Sequence, residues 1–349
     1  MTTRRLPPDK EALSEAAGLL RAGELVAFPT ETVYGLGADA LDAQAAAKIY
    51  QAKGRPPDNP LIIHIASPEQ AESFCHVSRT ARTLMDRFFP GPLTLVLPKK
   101  TIVPDIVTAG LDSVAFRMPG HPVALRLIKS AGTPIAAPSA NRSGKPSPTT
   151  AEHVMEDMDG RIPLVIDGGP CRIGVESTVL DIRSQTPLIL RPGGVTFAAI
   201  REVLGEVQLA DGALRPVKSD EPAASPGMRH THYAPDGTLT LVSGPRGKAL
   251  ETLRMHYDRD IRSGLSAALF AFSEDLPELA DRYVLSLGHR NCPEETAGRL
   301  FALLRRMDAE AIRRIYSLTT EADGMGLAVM NRLTRAAGYR IIDALEVYG

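Results

Sequence analysis

Lys53 and Arg55 stand one residue apart in KGRPPDNPLIIHI (53–65), one a point charge with rotatable donors, the other a planar fork. Pro56, Pro57 and Pro60 restrict the backbone around them, which lowers the entropy lost when an anion is bound. Such a pair suits a polyphosphate, although alone it could equally be a solvated surface pair beside prolines that end a helix. Its company favours the anion. APSANRSGKPSPTT (137–150) adds Ser139, Asn141, Ser143 and Ser147 with Arg142 and Lys145. Small hydroxyls and an amide amid Pro and Gly expose donors that can cradle phosphate oxygens without a P-loop; the bland alternative is an ordinary polar loop. Arg117 ends the apolar run SVAFR, Arg191 ends LILR, and Ser177 and Thr178 open STVLDI. His64 occupies an alternating position of LIIHI, where by itself it would be a satisfied core histidine. Three or four cations at strand ends facing one cleft would repel one another unless an anion fills it.

The elements that must position these residues follow from hydrophobic periodicity. Between Glu24 and about Arg201, the short apolar runs ELVAF, PLIIHI, PLTLVLP, SVAFRM, PIAAP, PLVIDGG, STVLDI and PLILRP alternate with helical stretches such as DAQAAAKIYQA and HPVALRLIKSA. That pattern means an α/β sheet, and the runs that lack a helix before the next one make it mixed rather than wholly parallel. From Ala210 to Pro235 apolar periodicity stops and Pro, Gly and Ser dominate, which reads as a long linker. TLTLVSG, GLSAALFAF, YVLSLG and IRRIYSLTT then alternate with three helical stretches, giving a smaller Rossmann-like three-layer α/β domain with a largely parallel sheet. The expected division is a first domain over 1–208, a linker or lid over 209–236 and a second domain over 237–349.

Several function classes are excluded or weakened. MTTRRLPPDK carries charge without a following apolar segment, and no run of about 18 apolar residues occurs, so neither a secretory signal nor a membrane span is expected and the cytoplasm is the default. Cys75, Cys171 and Cys292 are odd in number and widely spaced, which suits buried thiols rather than a disulfide framework or a zinc knuckle. A net charge of −1 argues against wholesale binding to nucleic acid while allowing a local basic cleft. Gly35-Leu-Gly37-Ala-Asp-Ala40 fits a dinucleotide fingerprint, but the acidic partner due about 20 residues on would be Asp58, inside the proline-rich loop. This motif and Gly324-Met-Gly326 are read as tight strand-to-helix turns. His230 and His232 lack a third ligand at suitable spacing and are read as linker histidines.

Taken together, PTETVYGLGADA, KGRPPDNPLIIHI, FFPGPLTLVL, VAFRMPGHP, APSANRSGKPSPT, GVESTVLDI and LRPGGVT resemble the YrdC-like family of L-threonylcarbamoyladenylate synthases, in family order from Leu25 to Thr196. SPGMRHTHYAP and the trailing domain are similar to the longer, two-domain form. The resemblance implies a twisted mixed sheet with a basic cleft and a nucleotidyltransferase that makes threonylcarbamoyl-AMP and pyrophosphate from L-threonine, bicarbonate and ATP with Mg2+. It implies a downstream tRNA threonylcarbamoyl-transferase complex as the consumer, with no membrane partner and no direct stable nucleic-acid binding. It assigns Thr32, His64, Arg117, Ala137 and Ser177 to threonine. Lys53, Arg55, Asn59, Ser113, Ser139, Asn141, Ser147, Arg191 and Tyr233 are assigned to ATP, with Lys53, Arg55, Ser139 and Asn141 central to catalysis; metal ligands are not implied. A carbamic mixed anhydride needs shelter from water, so the segment from Ser225 to Pro235, with Gly227 as hinge and Met228 and Tyr233 as contacts, is expected to close as a lid anchored by the trailing domain. Two other classes fit parts of the pattern. An RNA-binding module would use the same basic cleft but has few aromatics here on which to stack bases. A carbamoyl-transfer domain would be accompanied by zinc-finger and acyl-phosphatase-like segments, which this sequence lacks.

Overall fold

Alternation along the strands decides which side chains meet. The computed structural model describes residues 2–213 and 233–346, in two units: 1–143 with 147–230, and 144–146 with 231–349. In the first unit the strands are β1 (Arg4–Leu6), β2 (Val26–Phe28), β3 (Gly35–Asp39), β4 (Ile62–His64), β5 (Leu93–Pro98), β6 (Ser113–Arg117), β7 (Ile135–Ala136), β8 (Leu164–Ile166), β9 (Thr178–Asp181), β10 (Leu188–Arg191) and β11 (Gln208–Leu209). They form one sheet in the order β1-β8-β2-β3-β7-β4-β6-β5-β9-β10-β11. Pairing is mixed, as expected: β4 runs parallel to β6 and β5 parallel to β9, while β6 and β5, β4 and β7, and β9 and β10 are antiparallel.

One face of this sheet is the main core, with Ile63, Leu95, Phe116, Leu180 and Ile189 pointing into it. The other face has two halves. Over β8, β2 and β7, the helices Lys10–Arg21 and Pro122–Ala131 bury Leu13, Ala16, Leu20, Leu127 and Ile128 against Val26, Phe28, Ile135 and Ile166. Asp9 caps the first helix by accepting from Ala12 N, and Pro122 opens the second behind His121. Over β4, β6, β5, β9 and β10, the apolar cluster of Ile62, Ala115, Val96, Val179 and Leu190 takes no residue from a helix among the described residues. That half carries no helix in its cluster, yet its side chains are buried, Ile62 at 7% and Leu190 at 4% exposed.

Gly35 and Gly37 depart from the sequence reading. They lie inside β3 rather than in a strand-to-helix turn. A Cβ on Gly37 would sit 2.8 Å from the Phe28 ring and 2.9 Å from Ile135, so glycine is required by packing. Gly324, at φ +46°, does open a helix. The cysteine expectation also needs correcting: Cys75 and Cys171 are buried, whereas Cys292 is only half-buried. No helix among the described residues is long and apolar enough to cross a membrane.

The second unit is a wholly parallel sheet of β12 (Thr238–Ser243), β13 (Ala267–Ala271), β14 (Val284–Ser286), β15 (Arg314–Leu318) and β16 (Ile341–Asp343), ordered β14-β13-β15-β12-β16. The helix Arg246–Arg262 leads from β12 to β13, Pro293–Ala309 from β14 to β15, and Gly324–Ala336 from β15 to β16. Right-handed crossovers place the first on one face and the other two on the opposite face, which gives three layers. The order third-second-fourth-first-fifth differs from the dinucleotide fold, in which the first strand neighbours the second.

Candidate active site

The parallel register of β4 and β6 sets His64 opposite Arg117, and Ile62 opposite Ala115. Period-two alternation then puts Ser113, Ala115 and Arg117 on the face without helix cover together with Ile62 and His64, all of them buried. Arg117 is 3% exposed and bonds Glu31 through Nη2, at 2.8 Å to each carboxylate oxygen. Its Nη1 donates to Thr32 Oγ1 at 3.0 Å, while its Nε is buried with no partner. Thr32 is held in the turn after β2 by Thr30, whose hydroxyl lies 2.9 Å from it and also donates to the Val33 carbonyl. Glu31 corrects the electrostatic reading of the sequence. The strand-end cation is already neutralised by a buried carboxylate four residues before the start of β3, so repulsion alone does not require a bound anion.

The loop 173–177 is stitched to that turn. Ile173 N donates to Glu31 O at 2.8 Å and Gly174 N to Thr32 O at 3.1 Å. Ser177 Oγ lies 2.8 Å from Thr94 Oγ1 on β5, and Arg191 Nη2 reaches the Ser177 carbonyl at 3.0 Å and its hydroxyl at 3.3 Å. Ser147 is fully buried and donates to Glu176 at 2.6 Å. Ala137 follows β7, its N–H bonded to Ile62 O at 2.9 Å.

Lys53 closes the helix Ala43–Lys53, whose start is capped by Asp42 and whose end is turned by Gly54 in the left-handed region. Its Nζ, buried, donates to the carbonyls of Ser139 and Asn141 at 2.5 and 2.6 Å. Ser139 Oγ in turn bonds Asn141 Oδ1 at 2.5 Å, and Ser139 bridges to Gly35 of β3. Lys53 is thus a tie that shapes the 139–141 loop, a role the sequence reading had not given it. Arg55 donates to Asn59 O at 2.8 Å and lies over the Tyr50 ring. Asn59 is 1% exposed and neither atom of its side-chain amide has a partner, which suits a group waiting for a ligand. Ser113 opens β6, four residues and roughly 13 Å of strand from Arg117.

The structure therefore brings Thr32, His64, Arg117, Ala137, Ser177 and Arg191, all buried, together around one end of this face. Lys53, Ser139, Asn141 and Ser147 are joined to it through the 139–149 loop. Ser113, Asn59 and Arg55 lie toward the strands' other end. Tyr233 belongs to the second unit, where it is buried with its ring 5.2 Å from that of Phe301. The other residues of the expected lid up to position 232, with His230 and His232, lie outside the described residues. Sequence reasoning missed Glu31, Thr30, Thr94 and Glu176. Glu31 and Glu176 were the findable ones, each an acid beside a threonine or serine in a stretch too apolar to solvate it.

His64 is held neutral. Burial and then the neighbouring Arg117 charge press its pKa from 6.5 to about 3, and Nδ1 lies 3.1 Å from Ile62 O, to which the neutral ring donates. The unfolded chain takes up this proton near 6.5 and the folded one only near 3, so in that window the unfolded state binds more protons. The stability that His64 contributes is complete above the unfolded value and is lost as pH falls toward the folded one, with a limiting slope of about 1.4 kcal/mol per pH unit. Urea unfolding of His64→Asn beside the parent, between neutral pH and pH ~4, should show a shallower acid limb in the variant. An unchanged limb would mean that the imidazole is solvated.

Comparison with known proteins agrees across both units. The family model described as Telomere recombination, of the Sua5, YciO and YrdC proteins, matches residues 18–193, and the model described as Threonylcarbamoyl-AMP synthase, C-terminal domain, matches 195–338. The chain is 50% identical to the Threonylcarbamoyl-AMP synthase of Pyrococcus abyssi over 94% of both chains, and 47% identical to that of Bacillus subtilis over 97% of both. The crystal structure of P. abyssi Sua5 complexed with L-threonine superposes with a TM-score of 0.91 at 48% identity, covering 98% of each chain.

Proposed function

This chain belongs to the threonylcarbamoyl-AMP synthase family, and we propose on that premise that it is a nucleotidyltransferase joining L-threonine, bicarbonate and ATP into threonylcarbamoyl-AMP and pyrophosphate. The observation that carries the reading is Arg117, a buried guanidinium with an unpartnered Nε on the sheet face that lacks helix cover, beside a neutral His64. A carboxylate reaching this group would accept from the free Nε of a guanidinium that Glu31 and Thr32 hold in place, with the hydroxyls of Thr32, Thr94 and Ser177 close by for a hydroxyl-bearing amino acid.

The chemistry needs no nucleophile from the protein. The threonine amine adds to the bicarbonate carbon with loss of water, and an oxygen of the resulting carbamate displaces pyrophosphate from the α-phosphorus of ATP. Catalysis is then alignment and stabilisation of charge on the leaving group. Lys53 holds the 139–141 loop so that Ser139 and Asn141 face the phosphates, Arg55 supplies a cation beside Asn59, and Arg191 fixes Ser177 between the substrates. Asn59, with its unpartnered amide, and Ser113, at the opposite end of the face, suit the nucleoside. Among the described residues no group of three His, Cys, Asp or Glu side chains could hold a metal. Mg2+ needs no such cage, because it binds through phosphate oxygens and water; bound so, it would neutralise the leaving pyrophosphate. The product would pass to a tRNA-modifying transferase in the cytoplasm.

Pyrophosphate release should depend on threonine, bicarbonate and ATP together. Omitting either threonine or bicarbonate should reduce it to the background of ATP hydrolysis. Release that persists without threonine, or salt-sensitive RNA binding without any turnover, would overturn the reading.

A further inference from the structure

We propose that the C-terminal unit holds a second ligand site, for a hydroxyl-bearing phosphomonoester, in the crevice at the carboxyl ends of β12 and β15. These strands are neighbours, yet the connection from β12 runs toward β13 and that from β15 toward β16 on the other side. Adjacent strands whose connections part in this way leave a crevice between their loops, the place where open parallel sheets receive ligands. The crevice here is a cavity of about 460 Å³, within the usual range for small-molecule sites.

The chemistry of its walls selects the ligand. Gly244 follows β12, Thr319 and Thr320 follow β15, and Arg290 and Asn291 come from the loop after β14. The hydroxyls of Thr319 and Thr320 and the amide of Asn291 make no hydrogen bond with a described residue. Arg290 is pinned in place, with Nη2 2.5 Å from the fully buried Asp275 and its guanidinium 4.3 Å over the Phe272 ring. Donors on three loops line one space, Arg290 fixed by its ion pair, Thr319 and Thr320 half-buried and Asn291 exposed, an arrangement that suits phosphoryl oxygens. In the turn from β15 into the helix Gly324–Ala336, the N-cap residue Asp323 makes no side-chain bond to the helix, so its first N–H groups have no side-chain cap. Gly326 is required there by the protein's own backbone, since a Cβ would lie 2.1 Å from Glu321 O. Glu321 and Asp323, exposed in the wall, disfavour a bare anion but can accept from ligand hydroxyls. No aromatic side chain lines the cavity, so a nucleobase would gain little there. A sugar phosphate meets these conditions; inorganic phosphate and nucleosides meet only part of them.

Calorimetry on the full chain tests this with ribose 5-phosphate as probe, and inorganic phosphate and ribose as separate arms. Ribose 5-phosphate should bind, inorganic phosphate should bind more weakly, and ribose should not register. Thr319→Val with Thr320→Val, and independently Asn291→Ala, should weaken ribose 5-phosphate by about tenfold or more, the loss of one or two charge-assisted hydrogen bonds. Threonine-dependent pyrophosphate release should be unchanged in these variants, which separates this site from the first unit's. Absence of binding at millimolar probe would overturn the proposal. So would a titration that survives these substitutions but disappears in Lys53→Ala, because the probe would then occupy the first unit.

Discussion

Arg117→Ala is expected to lose about 3 to 5 kcal/mol of unfolding free energy and all measurable threonine binding, while ATP affinity changes far less. The stability loss comes from Glu31. Both partners of the ion pair are 4% exposed or less, and both carboxylate oxygens of Glu31 face the guanidinium. Removing the arginine leaves a buried carboxylate without its charge partner. The binding loss comes from the substrate carboxylate, which would lose its guanidinium, because Arg191 is engaged by the carbonyl and hydroxyl of Ser177. Arg117→Met combined with Glu31→Gln separates the two. With both charges gone, most of the stability should return, because replacing a whole buried pair is often nearly neutral. Threonine binding should not return. Urea unfolding and threonine calorimetry on the three proteins decide the matter, and an Arg117→Ala protein that binds threonine like its parent would remove Arg117 from the site.

The outcome also bears on what the sequence made legible. Arg117, His64 and Arg191 each end an apolar run, and period-two alternation was enough to place them at strand ends. The mixed character of the large sheet was readable in the same way, from runs that follow one another without a helix between. The pairing partners were not readable, because they depend on contacts distant in sequence. Glu31 meets Arg117 across 86 residues, and Lys53 meets Asn141 across 88. Without those distances, Lys53 looked like an anchor for phosphate alone, and the cations looked uncompensated. Gly35 and Gly37 failed for the same reason. Locally, G-L-G-A-D reads as a turn, and only the Phe28 ring and Ile135 packed over it make glycine the residue a strand needs there. In the second unit the parallel layering was visible in the alternation of strands and helices. The strand order was not, because crossovers that skip a neighbour leave no local mark.

Gly193→Ala should be among the most damaging single-methyl additions in the chain, although Gly193 touches no substrate in the proposed mechanism. An added Cβ would lie 2.3 Å from Glu176 O, 2.4 Å from Ser177 C and 2.4 Å from Thr178 N. All three are backbone atoms, so no side chain can swing aside. The turn after β10 must then lift from the strand start that carries Ser177. Arg191 spans that gap by donating to the Ser177 carbonyl and hydroxyl, and Glu176 holds Ser147 on the same segment. One methyl therefore disturbs groups assigned to both substrates. Overpacking costs about 1 to 3 kcal/mol where neighbours can relax, and this site, closed by backbone, belongs at or above the top of that range. A displacement of about 1 Å at Ser177 and Arg191 would lower turnover by roughly 100-fold. Gly247→Ala is the control, since its Cβ would meet nothing within 4 Å in the first turn of the helix Arg246–Arg262. It should be neutral or slightly stabilising. Thermal unfolding and threonine-dependent pyrophosphate release on the two variants give the comparison. If Gly193→Ala melts and turns over like Gly247→Ala, the contact between the two strand ends is looser than these distances require, and Ser177 and Arg191 do not act as one fixed unit.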